Sequence, residues 1–135
     1  MEPIHAVNVV IINKEAKLLI AKRAADKPMP NKWEFPGGKV EPGENLEACG
    51  IREIKEELDL DIIIDTYLGA EDIKYKDKDF CLHLFTAYLE SETSTFKLHE
   101  HSQAVWVEYK DLKDYDLPIY ELSLMQGLKK IMQEE

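Results

Sequence analysis

Residues 37–58 read GGKVEPGENLEACGIREIKEEL, a glycine-bearing loop that runs into a segment with helical spacing. From residue 45 onward Glu47, Ile51, Ile54 and Leu58 recur at three- and four-residue intervals and predict one face of a helix, with Asn45 as its N-cap. Gly37, Gly38, Pro42 and Gly43 make the preceding segment a loop rather than a regular element. At about 100° per residue, Glu53, Glu56 and Glu57 fall within an arc of about 100° on another face. Three carboxylates so close repel one another and weaken an isolated helix by roughly a few tenths of a kcal/mol per pair.

The ordinary explanation of such a helix is a solvated acidic face, with Arg52 paired to Glu56 one turn on. The loop argues for more. Its glycines let backbone approach a ligand closely, Glu44 adds a carboxylate, and Lys39 adds a cation suited to phosphate. A hard divalent cation such as Mg2+ offsets the repulsion, because it takes oxygen ligands and keeps waters that a phosphate can replace.

Outward from this segment the chain alternates strands and helices. Residues 6–12 and 17–23 predict two strands joined by a hairpin over Asn13-Lys14-Glu15. Residues 24–31 form a loop around Pro28 and Pro30, and 33–35 a short strand ending at Pro36. Residues 60–68, 80–90 and 104–108 predict further strands, with 71–79 a charged hairpin or loop and 120–132 a closing amphipathic helix. The expected architecture is an α/β layered domain, a mixed sheet between helices, spanning 1–135 as one domain.

With 135 residues, 44% apolar and 33% charged, the chain can close one core. Its net charge of −10 disfavours binding to nucleic-acid polymers and admits phosphate ligands only through metal. Cys49 and Cys81 form neither a disulfide framework nor a zinc knuckle and are expected as reduced structural thiols. The start, MEPIHAVNVVIINK, has no basic leader and no spanning length, so a cytoplasmic protein without membrane contact is expected. Monomer and homodimer both stay open.

Counted from Gly38, the segment runs Gly, five residues, Glu44, seven residues, then Arg52-Glu53-Ile54-Lys55-Glu56-Glu57. This resembles the Nudix box, G-x5-E-x7-R-E-U-x-E-E-x-G-U. One position departs: Asp59 stands where the pattern has its last glycine, and a left-handed residue there costs roughly 1 kcal/mol outside glycine. The departure touches the helix cap and not the ligands. Arg23-Ala24-Ala25-Asp26 and residues 31–39, NKWEFPGGK, look like the matching segments of the family's MutT-like branch. Glu100, Trp106 and Glu121 lie at spacings similar to a metal-ligand Glu, a Trp and a base-reading residue there, while 99–101 with 104–106 look more like the CTP and 5-methyl-dCTP pyrophosphohydrolases.

The resemblance implies a Nudix fold, an α/β/α sandwich with a central mixed β-sheet. It implies an enzyme that uses Mg2+, with Mn2+ as a substitute, to cleave a nucleoside triphosphate to monophosphate and pyrophosphate. Its first implied substrate is 8-oxo-dGTP, removed from the nucleotide pool, and the alternative is CTP or 5-methyl-dCTP. ADP-ribose, dinucleotide polyphosphates and capped RNA follow. A sensor that binds without hydrolysis would be expected to lose a box glutamate, and all three are present.

Residue by residue, the family implies that the Gly38 carbonyl and Glu53, Glu56, Glu57 and Glu100 bind metal. Glu53 or a neighbour would orient the attacking water, with Arg52 holding the glutamates and Glu44 supporting the loop. Arg23 and Lys39 would contact phosphates. Phe35, with Trp33, either stacks on a base or belongs to the core. Glu121 either reads the base or is a solvent-facing residue at the start of the last helix. His99 and His101 straddle Glu100, but without a third nitrogen or sulfur ligand they are expected as surface or loop histidines.

Overall fold

In β1 (Ile4–Ile12) Val7, Val9 and Ile11 alternate with Val10 and Ile12, and all five are fully buried. A strand buried on both faces belongs at the centre of a sheet covered on both sides. The computed structural model, which describes residues 2–117 and 122–134, places it there. One edge of β1 pairs in parallel with β6 (Lys78–Leu89) along its whole length. Its other edge is split. Only Ile12 pairs with Leu18 of β2 (Leu18–Arg23), while Ala6, Val7 and Asn8 pair with β4 (Gly37–Lys39).

Strand β2 in turn pairs with β3 (Trp33–Glu34) and with β7 (His101–Val107), and β6 pairs with β5 (Ile62–Tyr75). All pairings except β1–β6 are antiparallel, which gives a mixed seven-stranded sheet. Phe35 and Pro36 carry the chain across the split: the Pro36 carbonyl accepts from Val9 N–H at 2.8 Å, and the Asn8 side chain donates to the Phe35 carbonyl.

Helix α1 (Leu46–Leu58) covers one face, packing Cys49, Ile54 and Leu58 on Val7, Val9, Ile11 and Phe85. Helix α2 (Leu122–Glu134) and a 3-10 turn (Tyr109–Asp114) cover the other, with Leu112, Leu124 and Leu128 on Val10, Ile12, Ile20 and Leu84. The layered α/β architecture matches the expected one. No described helix is long and apolar enough to cross a membrane.

Several local expectations need correction. Residues 37–39 are strand β4 and not loop: at Gly37 a Cβ would collide with the Val7 carbonyl oxygen, so glycine is what lets the two strands pair. Of the two alternatives for 71–79 the structure has the hairpin, with strands β5 and β6 running on to a turn at Lys76-Asp77, both at positive φ (49° and 63°). This end stands largely in solvent, so its charges carry no information about regularity. Strand β7 starts at His101, ahead of the apolar residues that signalled it. The 3-10 turn was not foreseen.

The helix face was mis-phased as well. Glu47 and Ile51 are exposed, and the buried side runs through Cys49, Gly50, Ile54 and Leu58. Small residues mark the closest approach to the sheet: a Cβ on Gly50 would lie 3.2 Å from Val9 Cγ2.

Asn45 caps α1 by accepting from Ala48 N–H at 2.8 Å. Asp59 ends it in the left-handed region (φ 56°, ψ 37°), so the missing box glycine leaves the cap geometry intact. Relief of strain in Asp59→Gly, roughly 1 kcal/mol, is partly offset by loss of exposed ion pairs to Lys55 (3.4 Å) and Lys97 (3.8 Å). Since such pairs contribute about 0–1 kcal/mol each, the expected result in a urea titration is a gain below about 1 kcal/mol, with turnover unchanged.

Candidate active site

The β4–α1 segment brings Glu53 against the loop. Arg52 is the hub, its guanidinium donating to Glu44 Oε2 and Oε1 (2.6 and 3.0 Å), Glu53 Oε1 (2.8 Å), Glu56 Oε1 (3.1 Å) and the Lys39 carbonyl (3.1 Å). A planar fork with five N–H donors suits this arrangement, and lysine would not. Glu44 also accepts from Glu41 N–H at 3.1 Å, closing the loop on itself. The Arg52 hydrogen bonds, then the Glu41 amide, hold the Glu44 carboxyl down at about 2. In return, those bonds push the Arg52 pKa upward. At Gly38 the space a Cβ would fill is taken by the Glu53 carboxylate, and the Gly38 carbonyl accepts from the Cys49 thiol at 3.6 Å. Burial pushes that thiol up to about 12, so Cys49 is an inert structural group, as is expected of a reduced thiol.

Beside this hub lies an acidic cleft of about 320 Å³ lined by Arg23, Lys27, Glu34, Gly37, Glu53, Glu56, Glu57, Glu100 and His101. The three box glutamates are not equivalent in it. Glu56 is exposed, Glu53 half-buried and linked to Arg52, and the Glu57 side chain only 8% exposed. Burial first, then the adjacent Glu53, push the Glu57 carboxyl far above the usual carboxylate range. Its Oε1 is buried with no hydrogen-bond partner. A buried carboxylate oxygen without a donor is costly, and a hard cation satisfies it. The residues present therefore fit a divalent metal.

Of the other expected positions, Glu100 reaches the same cleft from just before β7, paired with Lys27 at 3.1 Å. Arg23 borders both this cleft and a second one of about 440 Å³, which is lined among others by Gly38, Lys39, Tyr75, Lys76, Lys78 and Phe80. Lys39 sits in the second cleft only, its ammonium 6.0 Å from the centre of the Phe80 ring. Phe35 is a correction: it is fully buried in the core under α2, so it packs the sheet and presents no surface to a ligand. Trp33 packs edge-on against Tyr115. Glu121 lies outside the described residues.

His101 is a second correction. It is buried, not a surface histidine, and its Nε2 lies 2.9 Å from Glu34 Oε2 and 3.8 Å from Glu57 Oε1. Glu34 also accepts from Arg23 Nη1 at 3.0 Å. Glu34, Lys27 and His101 are site residues the sequence reading missed. Glu34 lies between the apolar Trp33 and Phe35, and that alternation in sequence was the available signal.

Residues 2–126 match the family model of the NUDIX domain. Among known relatives, CTP pyrophosphohydrolase of Escherichia coli (strain K12) is 29% identical over 117 residues, 87% of this chain and 85% of that one. The 8-oxo-dGTP diphosphatase of the same strain is 49% identical over 49 residues, 36% of this chain and 38% of its own. The solution structure of the E. coli ORF135 protein superposes with a TM-score of 0.80 at 27% identity, covering 100% of this chain and 94% of that chain. With the box, the carboxylate cleft and the fold in agreement, the chain belongs to the MutT-like Nudix hydrolases, enzymes that act on small nucleotide substrates with divalent metal.

Proposed function

We propose that this chain, acting as a single domain, hydrolyses nucleoside triphosphates to the monophosphate and pyrophosphate, with Mg2+ held by Glu53, Glu56, Glu57, Glu100 and the Gly38 carbonyl. The observation that carries this is the buried, donor-free Oε1 of Glu57 among converging carboxylates. Held there, Mg2+, or Mn2+ in its place, would supply neutralisation of charge on the phosphate oxygens and a more acidic water. The chain's own residues do the rest. Arg52 holds Glu44, Glu53 and Glu56 in one geometry, and Glu53 accepts a hydrogen bond from the attacking water and so orients it. Arg23, Lys27 and Lys39 meet phosphate oxygens, since Arg23 and Lys27 border the acidic cleft and Arg23 and Lys39 the second one. The base enters that second cleft, against Tyr75 and Phe80.

Two bases are supported by different observations. Similarity to 8-oxo-dGTP diphosphatases covers only 36% and 61% of this chain. Similarity to a CTP pyrophosphohydrolase runs along most of the chain. A cytosine nucleotide is therefore the first reading and 8-oxo-dGTP the second. The test is pyrophosphate release with Mg2+ from CTP, dCTP, 5-methyl-dCTP, dGTP and 8-oxo-dGTP, with ADP-ribose as a further arm. Turnover confined to ADP-ribose, or absent throughout, overturns the reading. In parallel, millimolar Mg2+ is expected to raise the melting temperature of the wild type and to do so less in Glu53→Gln, because a ligand of the native state stabilises it by mass action. An unchanged melting temperature in both would remove the metal site.

A further inference from the structure

On the face of the sheet that carries α1, but away from the acidic cleft, His5 of β1 faces Cys81 of β6 as its Cα partner, and His83 follows two residues along the same strand. The side chains converge. His5 Nδ1 lies 2.9 Å from His83 Nε2, Cys81 Sγ lies 3.5 Å from His83 Nε2, and all three ligand atoms fall within 4.8 Å of one another. We propose that His5, Cys81 and His83 bind one borderline-soft divalent transition metal, of which Zn2+ is the representative.

Two nitrogens and a sulfur are the donor set such ions prefer and Mg2+ does not. With bonds of about 2.0–2.1 Å to nitrogen and about 2.3 Å to sulfur, a tetrahedral ion holds its N and S ligands roughly 3.6 Å apart and its nitrogens roughly 3.3 Å apart. The Cys81–His83 separation already meets this. The histidine pair needs to open by a few tenths of an ångström, which the exposed His5 ring is free to do. The other ring nitrogen of His83 is held by the Tyr67 hydroxyl at 2.9 Å, the kind of outer support that fixes the tautomer and orientation of a metal-ligating histidine. Asp72, the Cα partner of Cys81 on β5, adds negative charge nearby. A water completes the fourth position. On binding, the Cys81 thiol gives its proton to solvent as the sulfur–metal bond forms, so one proton is released per ion.

The experiment is a Co2+ titration of the full chain in excess Mg2+, followed by visible and near-ultraviolet absorption. One equivalent is expected to give thiolate-to-metal charge-transfer and tetrahedral bands that Zn2+ displaces. The bands should persist in Glu57→Gln, which separates this site from the acidic cleft, and in Cys49→Ser. They should vanish in Cys81→Ser. Tyr67→Phe is expected to weaken Zn2+ binding by about 10-fold or more, and His5→Ala, an exposed position that the fold tolerates, by more than that. Melting temperatures confirm that each variant is folded, and pyrophosphate release by His5→Ala is expected to match the wild type. Absence of the charge-transfer band in wild type, or its survival in Cys81→Ser, overturns the proposal and leaves the cluster as a hydrogen-bonded imidazole stack.

Discussion

Glu57→Gln is expected to lower kcat by at least about 100-fold and, in the same protein, to raise the melting temperature measured in EDTA. The two effects share one cause. Loss of an outer partner of a metal site already costs about 10–100-fold, and a carboxylate placed to bind the ion directly should cost no less. Without metal, however, the Glu57 carboxyl is buried, has a donor-free oxygen and sits beside Glu53. An amide keeps the shape, removes the charge and can donate to Glu53. The sign of the pH dependence follows. The folded pKa is raised, so whatever stability the protonated carboxyl supports is present below its unfolded pKa of about 4.3 and is lost as pH rises toward the folded value. The melting-temperature advantage of Glu57→Gln in EDTA should therefore grow from about pH 5 to about pH 9, and excess Mg2+ should shrink it. Near-normal turnover in this variant would end the assignment of Glu57 to the metal.

The adjacent glycines give the second large contrast, because their missing Cβ atoms face different neighbours. In Gly37→Ala the new methyl would meet the backbone of Val7 and Asn8, which cannot yield without breaking the β1–β4 pairing. A loss of about 3 kcal/mol or more is expected in urea denaturation, at the severe end for one substitution. In Gly38→Ala the atoms nearest the methyl all belong to the Glu53 carboxylate, the end of a flexible side chain. The fold should survive while Glu53 is displaced from its place beside Arg52. Misplacing such a group by an ångström costs about 100-fold in rate, so kcat should fall by that order with the melting temperature nearly kept. Equal damage to stability from both substitutions would contradict this division.

These residues also show what a sequence discloses. Glu44, Arg52, Glu53, Glu56 and Glu57 were legible because a loop and the helix it enters keep fixed local spacing, and Arg52 does join them. Glu34 and His101 were not, because they meet through two successive strand pairings, β3 with β2 and β2 with β7, that local spacing does not encode. The phase of α1 was misjudged because Ile51 is more apolar than Gly50, whereas what the sheet demands at that point is smallness. Between hairpin and loop beyond residue 70 the sequence left the choice open for the converse reason: a strand that outruns the core has no face to keep apolar.

That hairpin has a consequence for how such a protein can change. Its outer end contributes Tyr75, Lys76 and Lys78 to the second cleft, while the box glutamates hang from a loop and helix elsewhere in the chain. Its own turn closes on two residues, and its outer rungs pair mainly with each other. If the base enters that cleft as proposed, mutations there remodel what is recognised without disturbing the groups aligned by Arg52, and mutations in the box do the reverse. On the proposed reading, heritable variation in ligand choice and in chemical competence is thus lodged in separate stretches of one chain.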